Sequence, residues 1–459
     1  MELVRMNRSQ SNSVTAGSGT LVASAILASL GSFLFGFDTA VISGTTDSLR
    51  AVFQLSDNGL GFTVSSALLG TMAGSLLVGR PTDWWGRRKM LGLLAGLFLV
   101  SSIGCAGAWN WYALLFFRWL GGVAVGAASV ACPVYITEIA PAKQRGVLVA
   151  VSQLNIVIGV LLSYFSNYLV ARFIGAENTT IWRWMFGVMI VPSVLFLLAA
   201  VYIPESPRWL VKQGRSTEAV SVLQRLGHPE PESERAEIEN SLKEEMSGPH
   251  QRLFQRKYLK PLLLAFMIAA FNQLDGINAV TYYAADIFRM TGADKTGALM
   301  QAVLVGLTNL VMTLVAMVLI DRVGRKALLL AGSVTFVLSH TLAAWVFQTH
   351  AQGWVVMLAM AGIVGSHAYS QGAVVWVCIN EVLPNAVRAS GSAVACCLLW
   401  ILDVAVSWSF PVVAGRAGAY AFGFFAVMMV AQFFLVLKYF PETKGVSLEE
   451  LERRLGVEA

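Results

Sequence analysis

Charged residues are scarce in this sequence. Asp, Glu, Lys and Arg make up 13% of the 459 residues, whereas 56% are hydrophobic and the mean hydropathy is +0.64. A typical soluble domain carries about 25% charged residues, so the composition excludes an ordinary soluble protein. Cysteine is also rare, and without metal-ligand or disulfide-framework spacing we interpret the five thiols as packing residues. They lie in apolar stretches, at Cys105, Cys132, Cys378, Cys396 and Cys397.

Cleavage and catalytic signals are missing as well. The polar, Ser-rich opening from Asn7 to Thr20 is not followed by the short apolar core and cleavage site of a signal peptide. We therefore expect the first apolar stretch to be retained. The sequence has no recognisable nucleophile–base pair, metal-ligand cluster or phosphate-binding loop. We predict that the protein is not an enzyme, holds no metal and needs no cofactor.

What the sequence does contain is a series of apolar stretches, each near the length of about 20 residues that spans a bilayer as a helix. Their continuous apolarity favours helices over the alternating strands of a membrane barrel. We predict an all-α membrane protein with twelve spans, numbered here in chain order: 21–44, 61–80, 89–107, 112–134, 146–170, 182–203, 259–285, 298–320, 327–348, 354–380, 389–411 and 418–440.

The sequence also repeats itself. Asp83-Trp84-Trp85-Gly86-Arg87-Arg88 recurs as Asp321-Arg322-Val323-Gly324-Arg325-Lys326, Glu138 with Arg145 recurs as Glu381 with Arg388, and Pro204-Glu205 recurs as Pro441-Glu442. The offsets are 238, 243 and 237 residues, in the same order along the chain. A half-chain repeat in a very apolar protein indicates a membrane transporter built from two related halves, with its substrate site where the halves meet.

The repeat divides the chain into two six-helix bundles. The predicted parts are an N-terminal tail (1–20), a first bundle (21–204), a linker (205–258), a second bundle (259–441) and a C-terminal tail (442–459). The linker carries nine acidic and nine basic residues, and its periodicity fits amphipathic helices. Charge and periodicity leave two alternatives open, a solvated connection and a helical latch beneath the bundles.

The distribution of basic residues predicts the orientation. Loops on one side carry Arg80, Arg87, Arg88, Lys89, Lys143, Arg145, Arg322, Arg325, Lys326 and Arg388, and loops on the other side carry Arg50, Arg172, Arg183, Arg289, Lys295 and Arg416. By the positive-inside rule the first set, the linker and both termini face the cytoplasm. The basic isoelectric point is therefore a sign of topology in the cell membrane, and we predict no nucleic-acid partner.

Two ionisable residues lie deep within spans of the first half, Asp38 in span 1 and Arg118 in span 4. A charged side chain inside a span is unfavourable by at least about 2.5–3.5 kcal/mol. An acid and a base on neighbouring helices partly neutralise one another, so a structural ion pair is one interpretation. The alternative is a proton site, in which Asp38 binds a proton when its environment changes.

Uncharged polar groups and aromatic rings also collect at mid-span depth. Amides offer donors and acceptors to hydroxyl groups, and aromatic faces cover the C–H surface of a sugar ring. This combination favours a neutral, polyhydroxylated ligand. The group includes Gln153, Tyr164 and Asn167 in span 5, Asn272, Gln273 and Asn278 in span 7, and Asn309, Trp376, Trp400 and Asp403 in spans 8, 10 and 11. Gly276 among the amides predicts a broken helix in span 7.

These residues include motifs that resemble those of the sugar porter family in the major facilitator superfamily, over essentially the whole chain. The matching motifs are Gly79-x-x-x-Asp83-x-x-Gly86-Arg87-Arg88, Pro133-Val-Tyr-Ile-Thr-Glu138, Pro204-Glu205-Ser206-Pro207-Arg208-Trp209, Gly276-Ile277-Asn278 and Pro441-Glu442-Thr443-Lys444-Gly445. The segment Gly36 to Gly44 is most similar to bacterial proton-coupled xylose and hexose symporters. Asp403 stands where the family commonly has an amide.

The resemblance implies a role for each matching residue. Asp38 becomes the proton carrier and Arg118 its partner. The sugar contacts become Phe35, Gln153, Gln273, Asn278, Asn309, Trp376 and Trp400, to which the polar cluster adds Asn272 and Asp403. The inter-helix salt-bridge network that closes the cytoplasmic gate becomes Arg87, Arg88, Glu138, Arg145, Asp321, Arg325, Glu381 and Arg388.

The resulting hypothesis is a proton-coupled symporter of a hexose or pentose that works by alternating access, with protons as the coupling ion. Its partners are then the sugar and the lipid bilayer, and one chain contains the whole pathway, so we expect a functional monomer. The first alternative is an uncoupled sugar facilitator. A polyol or inositol transporter and a sugar sensor are further alternatives; the sensor is disfavoured because no long tail follows Ala459.

Overall fold

The computed structural model describes residues 19–141, 144–247, 253–446 and 448–457. Within these ranges the secondary structure is helical. The helices are Gly19–Phe53 (bent at Ser29), Asp57–Leu77, Gly79–Trp85, Arg87–Gly107, Trp111–Ile139, Arg145–Ile174, Ile181–Val188, Ile190–Tyr202, Pro207–Lys212, Ser216–Arg225, Pro231–Ser247, Arg256–Tyr258 (a 3₁₀ turn), Leu259–Leu274, Ile277–Tyr282, Ala284–Met290, Lys295–Val323, Arg325–Thr349, Trp354–Tyr369, Gln371–Val382, Arg388–Tyr439 and Leu448–Leu455.

These helices make the twelve predicted crossings. Ten helical stretches in the described chain are long and apolar enough to span a membrane. The last of them, Arg388–Tyr439, contains spans 11 and 12 joined across a kink at Ala417. Span 10 is absent from the ten because Ser370 interrupts it between two shorter helices. The prediction of two six-helix halves is therefore confirmed.

Local sequence explains where several spans begin. Spans 2, 4 and 8 start at Ser56, Asn110 and Asp294, whose side chains accept hydrogen bonds from the backbone N–H three residues later, at 3.2, 2.8 and 3.3 Å. Such caps satisfy N–H groups that the helix itself leaves without partners.

Span 7 is broken, as its glycine predicted. One helix ends at Leu274 and the next begins at Ile277. Gly276 between them has φ +75°, a backbone conformation that glycine adopts without strain. A β-carbon at this position would lie 2.7 Å from the Phe425 ring of span 12, so the close packing of that ring is a second reason for glycine at position 276.

The linker is helical and is packed against the first half. Trp209 donates a hydrogen bond from Nε1 to the backbone oxygen of Asp83 at 2.8 Å, and Lys212 Nζ lies 3.0 Å from an Asp83 carboxylate oxygen. His228 is buried and its Nε2 bonds the carbonyl of Ile139 at 3.1 Å. Of the two alternatives, these contacts favour the latch. We call this face of the membrane protein the linker side and the opposite face the far side.

The two halves are joined on the far side. Their polar contacts there are Trp408 Nε1 to Asn58 Oδ1 (2.7 Å), Tyr164 Oη to the Thr281 carbonyl (2.7 Å), Lys295 Nζ to Glu177 Oε2 (2.6 Å), and an ion pair between Arg289 and Asp47. On the linker side, the ion pairs Arg87–Glu138 and Arg325–Glu381 each join residues of a single half. Among the described residues, these polar contacts between the halves are therefore on the far side.

Candidate functional site

The acid and the base of the first half form a buried pair. Arg118 Nη1 donates to Asp38 Oδ1 at 3.0 Å, and the two residues are 2% and 6% exposed. Arg118 also lies over the Phe186 ring, 5.6 Å from its centroid. The pair is neutral overall while Asp38 is ionised. Protonation of Asp38 would leave the guanidinium buried without a counter-charge, which is strongly unfavourable unless the surroundings rearrange.

The amides at the break of span 7 form a chain. Asn278 Nδ2 donates to Gln273 Oε1 at 2.7 Å, and Gln273 Nε2 donates to Asn272 Oδ1 at 3.1 Å. Gln273 and Asn272 are buried, whereas Asn278 is only half-buried. Because each amide has more hydrogen-bonding capacity than this chain uses, the group retains sites for the hydroxyls of a ligand.

Aromatic residues from both halves meet next to this chain. The rings of Phe35 in span 1 and Trp400 in span 11 lie 6.3 Å apart with an interplanar angle of 52°. Asp403, one turn after Trp400, is buried, and Ser407 donates to its Oδ1 at 3.0 Å. The Asn278 side chain of span 7 also interacts with this carboxylate, so Asp403 connects the amide chain of span 7 to span 11.

The remaining candidates lie apart from that group. Gln153 is half-buried and Trp376 is 42% exposed, and in the described ranges neither side chain makes a hydrogen bond. Asn309 accepts a long 3.5 Å bond from Thr313 of its own span. Asn167 bonds the Val41 carbonyl at 3.1 Å, so it joins spans 1 and 5. The structure thus links the span 7 amides to Asp403, one turn from the Phe35–Trp400 pair, and in the described ranges the other candidates share no hydrogen bond with this group.

The repeated charges form the same arrangement in each half. Arg87 makes a two-point contact with Glu138 at 2.7 and 2.8 Å, and Glu205 accepts the Arg87 backbone N–H at 2.8 Å. In the second half Arg325 pairs with Glu381 at 3.2 Å and Glu442 accepts the Arg325 N–H at 3.0 Å. The repeated sequence motifs therefore make the same contacts in both halves of the structure.

Four gate candidates complete this set. Arg88 donates to the Val201 carbonyl at 2.5 Å, and Arg388 donates to the Leu383 carbonyl at 3.2 Å. Arg145 is exposed and lines a cavity of about 250 Å³ that Glu138 also lines. The side chain of Asp321 lies outside the described part of the structure. Their role in closing a gate stays a prediction.

Sequence reasoning missed a second buried titratable group, in the second half. His367 in span 10 lies 2.8 Å from the carboxylate of Asp275, at the break of span 7. His340 in span 9 donates from Nε2 to the backbone carbonyl of Asp275, also at 2.8 Å. The signal was present: Asp275 is an acid within an apolar stretch, and two of the five histidines lie in spans 9 and 10.

The molecule has two related six-helix halves, with a buried ion pair in the first half and polar and aromatic groups where the halves meet. These features define a membrane transporter for a small ligand. The chain belongs to the family described as "Sugar (and other) transporter", whose sequence model matches residues 24–455.

Individual relatives agree with this family. The chain is 37% identical to the arabinose-proton symporter of Bacillus subtilis, with 95% of each chain covered. It is 36% identical to the D-xylose-proton symporter of Escherichia coli, covering 93% of this chain and 94% of that one. An inward-open structure of the xylose transporter from E. coli superposes with a TM-score of 0.83 at 35% identity, over 94% of this chain and 98% of that chain.

Proposed function

We propose that the protein is a proton-coupled symporter of a monosaccharide, a hexose or a pentose. The observation that carries this proposal is the buried pair of Asp38 and Arg118, whose charge balance changes when a proton binds. The family and the printed names of the two symporter relatives support it.

The proposed sugar site lies between the halves. The amide chain of Gln273 and Asn278 offers hydrogen bonds to hydroxyls, and the rings of Phe35 and Trp400 cover the apolar surface of the sugar. Asp403 adds acceptor oxygens beside Asn278. Gln153, Asn272, Asn309 and Trp376 complete the proposed set.

The mechanism follows from charge balance. With the halves joined on the far side, Asp38 is ionised and paired with Arg118. Protonation of Asp38 removes the counter-charge of a buried guanidinium, so the protonated protein favours a different arrangement of the spans. A proton from outside thus biases the equilibrium between the two facings, and the sugar, bound in the same cycle, is carried with it.

The linker side is proposed to be the cytoplasmic side of a cell membrane. The basic loops carry the excess of Arg and Lys that the positive-inside rule assigns to the cytoplasm, and they lie on this side with the linker. In this orientation the structure is inward-facing. A single chain holds both the proton pair and the sugar cleft, so we propose a functional monomer.

The test is transport by the purified protein in proteoliposomes. Wild-type protein should accumulate labelled sugar against its gradient when a proton gradient is imposed. Asp38→Asn should retain exchange of labelled for unlabelled sugar but lose accumulation. Accumulation by Asp38→Asn would remove Asp38 from coupling, and wild-type transport that ignores the proton gradient would assign the chain to the uncoupled facilitators.

A further inference from the structure

A carboxylate and an imidazole form a closed pair at the break of span 7. The Asp275 carboxylate accepts the backbone N–H of Ile277 at 2.9 Å through Oδ1 and is bonded to His367 Nδ1 at 2.8 Å through Oδ2. The Asp275 side chain is 0% exposed, whereas that of His367 is 17% exposed. Exposed ionisable groups within membrane spans almost always face the bundle interior or a water-filled cavity, so the imidazole is the member that water reaches.

Among the described residues, His367 is the one basic side chain that pairs with Asp275. Behind it, His340 donates from Nε2 to the Asp275 carbonyl while its buried Nδ1 has no hydrogen-bond partner. A second N–H there would find no acceptor, so His340 is the neutral tautomer. It is stacked on Phe336 at 5.8 Å, with Phe422 and Phe425 against its other sides.

The other titratable groups near the pair come from two spans. Asp403 of span 11 is close enough for its charge to interact with that of Asp275. Tyr369 of span 10 is bonded to Thr335 at 2.6 Å, away from the carboxylate. Span 12 presents the rings of Phe422 and Phe425 to this region. The neighbouring acid therefore disfavours a net negative charge on the pair.

The two buried pairs carry no net charge in opposite protonation states. Asp38 with Arg118 is neutral without a bound proton, because arginine keeps its charge. Asp275 with His367 is neutral only with one bound proton, which we assign to the imidazole because Asp275 already accepts the Ile277 N–H. A buried pair with net charge is strongly disfavoured, so the second pair should hold a proton whenever its cavity is closed to water.

We propose that Asp275 and His367 form a second proton-binding site, in the sugar-binding half, which exchanges its proton with the central cavity through His367. The inference rests on the proposed function as a sugar transporter. Asp275 lies between Gln273 and Asn278 in the sequence, and its carboxylate holds the first N–H of the helix that carries Asn278. The protonation state of the pair therefore acts directly on the position of the sugar-site amides. Closing the cleft around a sugar removes water from His367, and sugar binding is therefore tighter when the pair holds its proton.

The test is the pH dependence of sugar affinity, measured on full-length protein in detergent with D-xylose and D-glucose as probes. Asp38→Asn serves as the background because it removes the first proton site. From about pH 8 to about pH 5 its affinity should rise, by about fivefold or more. Adding His367→Gln, which keeps a donor for Asp275 but does not titrate, should abolish the rise.

Two matched backgrounds locate the effect. The rise should persist when Asp38→Asn is combined with His340→Gln. It should also persist with Asp403→Asn, for which affinities are compared only between pH values of that same variant, because Asp403 belongs to the proposed sugar site. Three outcomes would each overturn the proposal. They are a sugar affinity that does not change with pH in Asp38→Asn alone, a rise that persists with His367→Gln, and a rise that is lost only with Asp403→Asn. Absence of any sugar binding by wild-type protein would instead count against the proposed function.

A second measurement does not depend on sugar or on the stability of one variant. Nitrogen NMR of histidine-labelled protein distinguishes imidazolium from neutral imidazole. The ring whose signal is missing in His367→Gln and His367→Phe should change between these forms over the same pH range, whatever the other four rings do. If that ring stays neutral throughout, the imidazole takes up no proton and the proposal fails.

Discussion

Arg118 donates a hydrogen bond to Asp38 over 3.0 Å in the interior of the first half, and the two residues are nearly inaccessible to solvent. The arrangement is a charge-neutral pair with one permanent member, the guanidinium. Only Asp38 can change its charge under physiological conditions. In our account this single change shifts the equilibrium between the two facings of the protein, whereas the proton of Asp275 and His367 changes sugar affinity.

The first prediction concerns the permanent member. Arg118→Gln leaves Asp38 buried without a counter-charge, so the carboxylate should stay protonated and proton-driven accumulation of sugar should fall by about tenfold or more. Exchange of labelled sugar across the membrane should continue. Arg172→Gln, at an exposed arginine in the last turn of span 5, is the matched control and should transport normally. Full accumulation by Arg118→Gln would show that the pair is structural.

The second prediction separates ligand-binding amides from amides that join helices. Gln273→Ala removes the centre of the span 7 chain, and we expect sugar affinity to fall severalfold, about 1 kcal/mol. Asn167→Ala removes the bond to the Val41 carbonyl and should lower thermal stability by a similar free energy with unchanged affinity. Titration with sugar and thermal unfolding of each variant check the two effects. Equal affinity of Gln273→Ala and wild type would exclude span 7 from the site.

The third prediction compares the echoed ion pairs. The Arg87–Glu138 pair is bidentate with side chains 9% and 8% exposed, whereas Arg325–Glu381 makes one 3.2 Å contact with side chains 15% and 25% exposed. Glu138→Gln leaves the buried guanidinium with only its 3.1 Å pair to the half-exposed Asp83, and should lower the unfolding free energy by about 3 kcal/mol. Glu381→Gln should lower it by about 1 kcal/mol. Thermal unfolding in one detergent tests the order, and a larger loss for Glu381→Gln would contradict it.

The fourth prediction concerns the charges that join the halves on the far side. Asp47 pairs with both Arg289 and Lys295, although all three are about one-third exposed, so each pair contributes at most about 1 kcal/mol. Asp47→Asn should therefore shift the population several-fold towards the outward-facing state.

Electron-spin distance measurements report this population. Labels at positions 172 and 416 lie at the far-side ends of spans 5 and 11, in different halves. The fraction of long distances should increase in Asp47→Asn. Glu218→Gln, in the exposed part of the linker, is the control and should leave the distribution unchanged. An unchanged distribution in Asp47→Asn would mean that these charges do not hold the far side closed.

Much of the fold was accessible from the sequence because hydrophobic length and repeated motifs are local signals. The twelve crossings, the two halves and the break at Gly276 follow from such signals. The break of span 10 at Ser370 was not predicted, since Gly372 two residues later is a weak signal by itself and no proline lies in the segment. The roles of the site residues depend on distances between spans. The sequence marks Asp275 as an acid in an apolar stretch, but the proximity of His367, 92 residues later, is a property of the folded chain.

The central claim is that protonation of Asp38 couples the movement of sugar to the movement of protons. The most direct test is to measure proton flux during sugar uptake. Proteoliposomes containing a pH-sensitive dye receive sugar on the outside, without an imposed proton gradient. Our account predicts acidification of the interior with wild-type protein. It predicts no sustained acidification with Asp38→Asn, because that variant exchanges sugar without completing the cycle of net uptake, so the proton of Asp275 and His367 is not carried inwards repeatedly. Sugar entry through the wild-type protein with no change in interior pH would contradict the account.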